Sequence, residues 1–195
     1  MTDMKRPSRE EAEEAVRTLL SWMGEDAGRK GLLRTPTRVL NCYDEWFGGY
    51  SLDPREILGT SFPDAEGYND IVVLKDIDFE SHCEHHIAPF MGKAHIAYLP
   101  SDRVVGVSKL VKVVAALSKR LQVQERLTKQ IADCINDVLK PRGVAVILEA
   151  QHECMTTRGV YKKDINMVTN AMHGEFDTDP VMRAQLMELV YGGKS

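Results

Sequence analysis

Two short clusters of thiol and imidazole side chains are the part of this sequence best suited to chemistry. The first is Cys83-Glu84-His85-His86, and the second, far along the chain, is His152-Glu153-Cys154. Cys83 and His86 are spaced i, i+3, so one tight turn can direct both side chains at a single ion. Thiolate and imidazole ligands favour zinc, whereas magnesium and calcium prefer oxygen ligands. The clusters therefore predict a zinc site in which Cys154 is the natural third ligand.

The same residues leave open whether this zinc is catalytic or structural. A catalytic site keeps three protein ligands and an open fourth position, whereas a structural site is closed by a fourth ligand. His82, His85 or His152 could close it, and a simpler alternative is a pair of core cysteines with incidental histidines. Three spare histidines are more than a structural site needs, which favours the catalytic interpretation. Cys42 and Cys134 lie in helical patterns and are interpreted as core residues.

Apolar periodicity predicts the elements that must position these clusters. Helices are predicted from the Ser8–Glu11 capping box, from Thr35-Pro36, over 108–140 with a joint at 121–123, and from Asp179-Pro180. Strands are predicted at 71–79, 93–99, 144–154 and 166–172, which places the first cluster on a connection between strands. In the third strand, period two puts His152 and Cys154 on one face. This order indicates an antiparallel α+β sheet with helices on one face.

Polar residues near these elements could bind an anionic ligand. Ser108-Lys109 stands at a helix start, where backbone N–H groups and the helix dipole favour anions. Lys112 follows one turn on, and Arg158 follows the strand that contains His152. A solvated charged face is the alternative interpretation. Glu125 could accept hydrogen bonds from a donor-rich ring edge, although an exposed helix start is again the alternative.

Composition and charge restrict the class of protein. With 43% hydrophobic and 28% charged residues, the chain of 195 residues is typical of a soluble globular protein. Its net charge of −4 argues against a nucleic-acid-binding surface. Its apolar runs are too short to span a membrane, and its N-terminus lacks the apolar core of a signal peptide. Four scattered cysteines then indicate reduced thiols, and we expect a cytoplasmic protein.

Longer motifs give the sequence a family resemblance. SHCEHHIAPFMGKAHIAYLP, GVSKLVKVVAALSKRLQVQERLTKQI and HECMTTRGV together resemble GTP cyclohydrolase I, as do GLLRTPTRV and MVTNAMHGEF nearer the ends. The resemblance extends from about residue 10 to the end of the chain. It implies the tunnelling fold (T-fold), in which antiparallel sheets from several subunits join into a barrel. We expect an N-terminal helical region over residues 1–60 and a T-fold catalytic domain over 61–195, together one structural unit.

The resemblance also implies an assembly and a reaction. The assembly is a homodecamer of two face-to-face pentamers with active sites at subunit boundaries. The reaction converts GTP and water to 7,8-dihydroneopterin triphosphate and formate, the entry step to folate or tetrahydrobiopterin. GTP cyclohydrolase I is thus a hydrolase that opens a cyclic amidine and needs Zn²⁺.

Matching positions imply roles for individual residues. Zinc would be bound by Cys83, His86 and Cys154, and the guanine edge by Glu125 with Gln124 beside it. The triphosphate would be bound by Ser108, Lys109 and Arg158, together with Arg38 from a neighbouring subunit. Proton transfer would be carried out by His85 and His152. His152 would protonate guanine N7, which makes C8 electrophilic, and histidine suits this because its pKa lies near neutral pH.

Three positions depart from the family pattern, and two other functions compete. Lys112 stands where arginine is frequent and lacks its bidentate fork, while His82 and His173 replace more usual residues. One competing function is a zinc-stabilised binding protein that has lost turnover. The other is a different T-fold enzyme acting on a related purine or pterin. The combination of Glu125 with Lys109 and Arg158 favours GTP, because it matches both the guanine and the triphosphate.

Overall fold

The computed structural model describes residues 6–59, 62–63, 68–101 and 103–192. Contacts between Cα atoms divide the chain into two compact units, Met1–Phe47 and Gly48–Ser195. A domain boundary at residue 60 stays a prediction. No helix within the described ranges is both long enough and apolar enough to cross a lipid bilayer.

The first unit contains helices α1 (Arg9–Trp22) and α2 (Thr35–Trp46). The predicted capping box is confirmed, because Ser8 Oγ accepts from Glu11 N at 3.2 Å and Ser8 N donates to Glu11 Oε2 at 2.7 Å. The cap predicted for α2 is one residue too late, since the N-cap is Arg34. Cys42 on α2 is exposed, so its interpretation as a core residue is wrong.

The second unit contains a sheet, its helices and their connections. In chain order its elements are a 3₁₀ helix (Gly48–Ser51), α3 (Pro54–Leu58), β1 (Phe62–Pro63), β2 (Val72–Cys83), β3 (Pro89–Leu99), β4 (Arg103–Val104), α4 (Val107–Ser118), β5 (Leu121–Gln122), α5 (Gln124–Leu139), β6 (Gly143–His152), α6 (Glu153–Thr156), β7 (Met167–Gly174), α7 (Glu175–Thr178) and α8 (Pro180–Tyr191).

Five strands form the main sheet in the order β5-β2-β3-β6-β7. The pairs β2–β3, β3–β6 and β6–β7 are antiparallel, while the short β5 runs parallel to the end of β2. Strands β1 and β4 form a separate antiparallel pair. The α+β class and the antiparallel sheet predicted from the apolar patterns are therefore confirmed.

The faces of this sheet are covered by different helices. Alternate residues of β3 and β6, such as Ile96 and Val146, pack with α4 and α5 in the larger core. Residues of the opposite parity, such as Leu99 and Ile147, pack with Phe176 of α7 and with α8. The helix pair predicted on one face is thus present, and α8 additionally covers part of the other face. Cys134 is buried in the larger core, as predicted.

Gly92 permits the close pairing of β3 with β6 near their site end. A Cβ atom at this position would lie 1.8 Å from the Glu149 carbonyl oxygen and 2.7 Å from the Ala150 Cα, both backbone atoms. No side chain can be accommodated without moving a strand. Two residues along, the same pairing sets Phe90 opposite His152.

Strand ends differ from the predictions where the site begins. β2 continues to Cys83 and β3 starts at Pro89, so His82 and Cys83 lie in a strand and not on the connection. The extension has a physical cause, because the joint predicted at 121–123 forms β5 and pairs His82 with Leu121 and Cys83 with Gln122. β6 ends at His152, earlier than predicted.

Candidate metal centre and active site

The ends of β2 and β6 bring three metal-binding side chains together. One donor atom from each of Cys83, His86 and Cys154 lies within 4.8 Å of the others. Cys83 Sγ and His86 Nδ1 are 3.7 Å apart. Tetrahedral zinc, with Zn–S of about 2.3 Å and Zn–N of about 2.0 Å, would place sulfur and nitrogen about 3.5 Å apart. The donor types and their spacing therefore fit zinc.

A tight turn after β2 presents the two histidines. Cys83 N donates to Ala88 O at 2.8 Å, and Cys83 O accepts from His86 N and Ile87 N at 3.2 and 2.8 Å. Ile87 has φ +54°, a left-handed conformation that is strained for a β-branched residue. Such strain costs about 1–3 kcal/mol and concentrates at functional sites. The turn is therefore held against a local conformational preference.

Cys154 reaches the cluster by a route that differs from the prediction. It lies in the short helix α6, directly after β6, so the period-two argument that placed it on the strand face with His152 is wrong. The change of direction after His152 brings the thiol beside Cys83 nevertheless. Burial raises the pKa of the Cys154 thiol, and the neighbouring Cys83 adds to that rise. A bound cation would oppose both effects by stabilising the thiolate.

His85 and Arg158 surround the three donor residues. His85 Nδ1 lies 3.7 Å from Cys83 Sγ, on an exposed side chain. Arg158 Nη1 donates to His86 Nε2 at 2.9 Å, since a guanidinium has no acceptor. A residue predicted to bind phosphate therefore lies at the edge of the metal-binding cluster.

The imidazole of His152 is positioned by two contacts, one to the face of its ring and one to a ring nitrogen. Its ring stacks on Phe90 with centroids 4.5 Å apart and planes 2° from parallel. Its Nε2 lies 2.9 Å from Gln124 Oε1. Burial lowers the pKa of His152, while the carboxylate of Glu125 acts in the opposite direction. The imidazole is thus near both the metal ligands and the residue predicted to bind guanine.

None of the histidines that could close the site joins the three donors. In the part of the chain that the structure describes, the potential metal-binding group contains Cys83, His86 and Cys154 but not His82, His85 or His152. His82 is buried, and burial lowers its pKa. This arrangement favours the open, catalytic interpretation of the site.

The other predicted site residues occupy helix starts. Glu125 is exposed and Gln124 is buried in the first turn of α5. Ser108 and Lys109 lie in the first turn of α4, whose N-cap Gly106 provides no side-chain cap, and the Lys109 N–H donates to Gly106 O at 2.9 Å. Arg38 is an exposed residue of α2 in the first unit.

Sequence reasoning missed several residues that support the site. Phe90 was overlooked because its strand was predicted to start later, although it is the direct cross-strand partner of His152. Glu84 pairs with Arg126 of α5, and Thr169 of β7 contacts the Gln124 amide. A longer β3 would have revealed Phe90, but no sequence signal pointed to the other two contacts.

The fold and the site define a class: an α+β protein with a Cys-His-Cys group that could hold a metal ion at the end of an antiparallel sheet. The family model for GTP cyclohydrolase I matches residues 12–191. The chain therefore belongs to the GTP cyclohydrolase I family. The resemblance seen in the sequence and its enzyme class are confirmed, while the T-fold stays a prediction.

Curated relatives agree with this assignment. The chain is 55% identical to GTP cyclohydrolase 1 of Maricaulis maris over 185 residues, which are 95% of this chain and 90% of that protein. It is 53% identical to the proteins of the same name from Hyphomonas neptunium and Brucella suis. The alignments cover 95% of this chain in both cases, and 90% and 87% of those two proteins, respectively.

A solved structure, the apo archaeosine synthase QueF-Like, is 18% identical with a TM-score of 0.45 over 55% of this chain and 96% of that chain.

Proposed function

We propose that this protein is a zinc-dependent GTP cyclohydrolase I, which hydrolyses GTP at C8 to 7,8-dihydroneopterin triphosphate and formate. The observation that carries the proposal is the grouping of Cys83, His86 and Cys154, from which the three histidines that could have closed the site, His82, His85 and His152, are absent. Family membership supports the substrate and the reaction class. A site with three ligands and nearby acid–base groups is suited to hydrolysis rather than to structural stabilisation.

The three donor residues would hold the ion, and their chemistry suits zinc more than other common metals. When bound, zinc would act as a Lewis acid and lower the pKa of water, which makes hydroxide available as a nucleophile near neutral pH. The turn from Cys83 to Ala88 and the β5 pairing hold Cys83 and His86 in place before the ion binds. Preorganised ligands of this kind favour a defined coordination geometry.

Glu125 would recognise the guanine. Its carboxylate only accepts hydrogen bonds, and the N1–H and 2-amino groups of guanine form an edge that only donates. An adenine ring presents a different pattern there, so ATP should bind poorly. Glu125 follows Gln124, whose Oε1 lies 2.9 Å from His152 Nε2, so the base and the imidazole would lie close together. Direct contact between the neighbouring Gln124 and guanine stays a prediction.

His152 and His85 would move the protons of the reaction. A proton from His152 to N7 makes C8 electrophilic, water adds at C8, and the imidazole ring of guanine opens to a formamide. A second water releases formate, and His85, whose Nδ1 lies 3.7 Å from Cys83 Sγ, would exchange protons at this step. Rearrangement of the ribose and closure of the pterin ring then expel one water. General acid–base help of this kind is typically worth about 10²–10⁴-fold.

The triphosphate would be bound by Ser108, Lys109 and Arg158, with Arg38 contributed by a neighbouring subunit. The start of α4 supplies backbone N–H groups and a favourable dipole for an anion. Arg158 supplies a cation at the metal-binding cluster. We further propose the homodecamer of the family, with active sites at subunit boundaries, and a cytoplasmic role at the entry to folate or tetrahydrobiopterin synthesis.

The test is to measure zinc content and formate release on one preparation. We expect about one zinc per chain and conversion of GTP to a pterin that fluoresces after oxidation, with ATP giving neither product. Zinc-replete protein that releases no formate from GTP would exclude the enzyme and favour the binding protein that has lost turnover. Light scattering of the same sample would test the decamer.

A further inference from the structure

The side chain of Gln124 is 1% exposed, and its amide is fully engaged. Nε2 lies 3.1 Å from Leu148 O, 2.9 Å from Met167 O and 3.1 Å from Thr169 Oγ1. Two amide hydrogens thus serve three oxygens, and one hydrogen is shared. On the other side, Oε1 lies 2.9 Å from His152 Nε2.

The orientation of this amide follows from its partners. Backbone carbonyls only accept, so a reversed amide would direct Oε1 at the carbonyls of Leu148 and Met167 and lose both hydrogen bonds. Two threonines agree with this orientation. Thr128 Oγ1 donates to the backbone carbonyl oxygen of Gln124 at 2.7 Å. Thr169 Oγ1 lies 2.6 Å from Thr128 Oγ1, so it can donate to that hydroxyl and accept from the Gln124 side-chain Nε2.

A fixed amide determines the protonation of the imidazole that it contacts. Oε1 of Gln124 has no hydrogen to donate, so Nε2 of His152 must carry one. The tautomer of a histidine is set by the hydrogen bond at its other nitrogen, and the stack on Phe90 fixes the ring plane. We propose that Gln124 is a positioning residue that holds His152 as its Nε2–H tautomer and leaves Nδ1 to exchange protons with the substrate.

This inference rests on the proposed function and names the atom that acts in it. The N–H bond at Nδ1 of the imidazolium breaks and a new N–H bond forms at guanine N7. The Nε2–H bond stays intact, so the imidazole is left neutral with Gln124 still its acceptor. Direct contact of the Gln124 side chain with guanine would require this buried amide to abandon its partners.

The first test observes the tautomer without any substrate. Solid-state ¹⁵N NMR of the full-length, zinc-loaded protein with ring-labelled histidine separates protonated from bare nitrogens at about pH 8.5, where imidazole is neutral. The His152 signals are assigned by their loss in His152→Asn. We expect a protonated Nε2 in the natural sequence and a mixture of tautomers in Gln124→Met. A protonated Nδ1 in the natural sequence would overturn the inference.

The second test compares two buried glutamines. Gln122 is 2% exposed, donates to Leu117 O and Gln130 Oε1 and accepts from Arg126 Nε, and none of these side-chain hydrogen bonds among the described residues is to a histidine. We expect Gln124→Met to lower kcat about 10- to 100-fold with KM for GTP within about threefold. Gln122→Met, at saturating zinc, should leave kcat within about threefold and the His152 tautomer unchanged.

Three kinetic outcomes would contradict the positioning role. A rise in KM alone in Gln124→Met would show direct contact with guanine, and equal losses of kcat in both variants would show a structural role. An unchanged kcat in Gln124→Met would also overturn it. If the natural sequence releases no formate, the proposed function fails, whereas the NMR measurement still decides the tautomer.

Discussion

The guanidinium of Arg126 in the first turn of α5 binds the carboxylate of Glu84 in the turn that follows β2. Glu84 lies between Cys83 and His85, and Arg126 follows Glu125. The pair therefore connects the metal-binding turn to the helix that would recognise the base. Arg126 also lowers the pKa of Glu84 by its hydrogen bond, so the carboxylate is charged at neutral pH.

Removal of the Glu84 partner should loosen the metal-binding turn. We expect Arg126→Met to weaken zinc binding by about fivefold, a modest change because both side chains are partly exposed and such pairs are weak. Lys129→Met is the matched control, since it removes a cation of the same helix whose ion pair, among the described residues, is with Asp133. Competition with a chromophoric chelator measures the affinity. Equal effects of the two substitutions would contradict a specific role for the pair.

The ligand and proton roles can be separated by two substitutions at neighbouring positions. Cys154→Ser should lose both zinc and formate release, because it removes one of three donor atoms. His152→Ala should keep zinc and lose about 10²–10⁴-fold in ring opening. Elemental analysis and formate release on the same samples provide the readout. Zinc lost from the His152 variant would make this residue a ligand instead.

Gly92 should tolerate no side chain. Gly92→Ala would place a Cβ 1.8 Å from the Glu149 carbonyl oxygen, so we expect a loss of about 3–5 kcal/mol in unfolding free energy or failure to fold. Gly48→Ala is the control, because nothing lies within 4 Å of its added Cβ. Chemical denaturation measures both variants. A Gly92 variant as stable as the control would mean that β3 and β6 can separate at little cost.

The buried thiol of Cys134 should make stability depend on alkaline pH. Burial raises the pKa of Cys134 from 9.0 to about 11. Below pH 9 the Cys134 thiol is mainly protonated in both the folded and the unfolded protein, so its contribution to the free energy of unfolding is fully present. As the pH rises towards 11, the thiol of the unfolded protein loses its proton first, and the free energy of unfolding falls. We expect a decline of about 1–2 kcal/mol over this window.

The contribution of Cys134 is isolated by difference. Cys134→Ala should flatten the pH dependence of the unfolding free energy, whereas Cys42→Ala, at an exposed position, should not. Tyrosines also titrate in this range, and comparison with the natural sequence removes their effect. An identical decline in the Cys134 variant would exclude the thiol as its cause.

Short-range patterns predicted most of the fold and the three residues that the structure groups as possible metal ligands. The capping box at Ser8 and the joint between α4 and α5 depend on local chemistry, which a sequence displays directly. The ends of the strands depend on partners elsewhere in the chain. β2 reaches Cys83 because β5 pairs with it, and β6 ends before Cys154 because α6 begins.

The contacts that support the site could not be predicted from the sequence, because they too depend on partners elsewhere in the chain. Arg126 and Glu84 are far apart in the chain, and their pairing requires β5 to be in place. The exposure of Cys42 depends on which side of α2 is covered, whereas its periodicity is compatible with a core position. Thr169 contacts Gln124 only because β7 lies beside β6.

The position of β6, one strand away from β2 in the sheet, has a consequence for biosynthesis. Cys83 and His86 leave the ribosome long before Cys154, and two ligands alone hold zinc weakly. The third ligand arrives only after β6 has been made and has docked on β3, the strand that separates it from β2. Tight metal uptake should therefore be a late event that follows sheet assembly, and a nascent chain truncated before β6 should exchange its zinc freely.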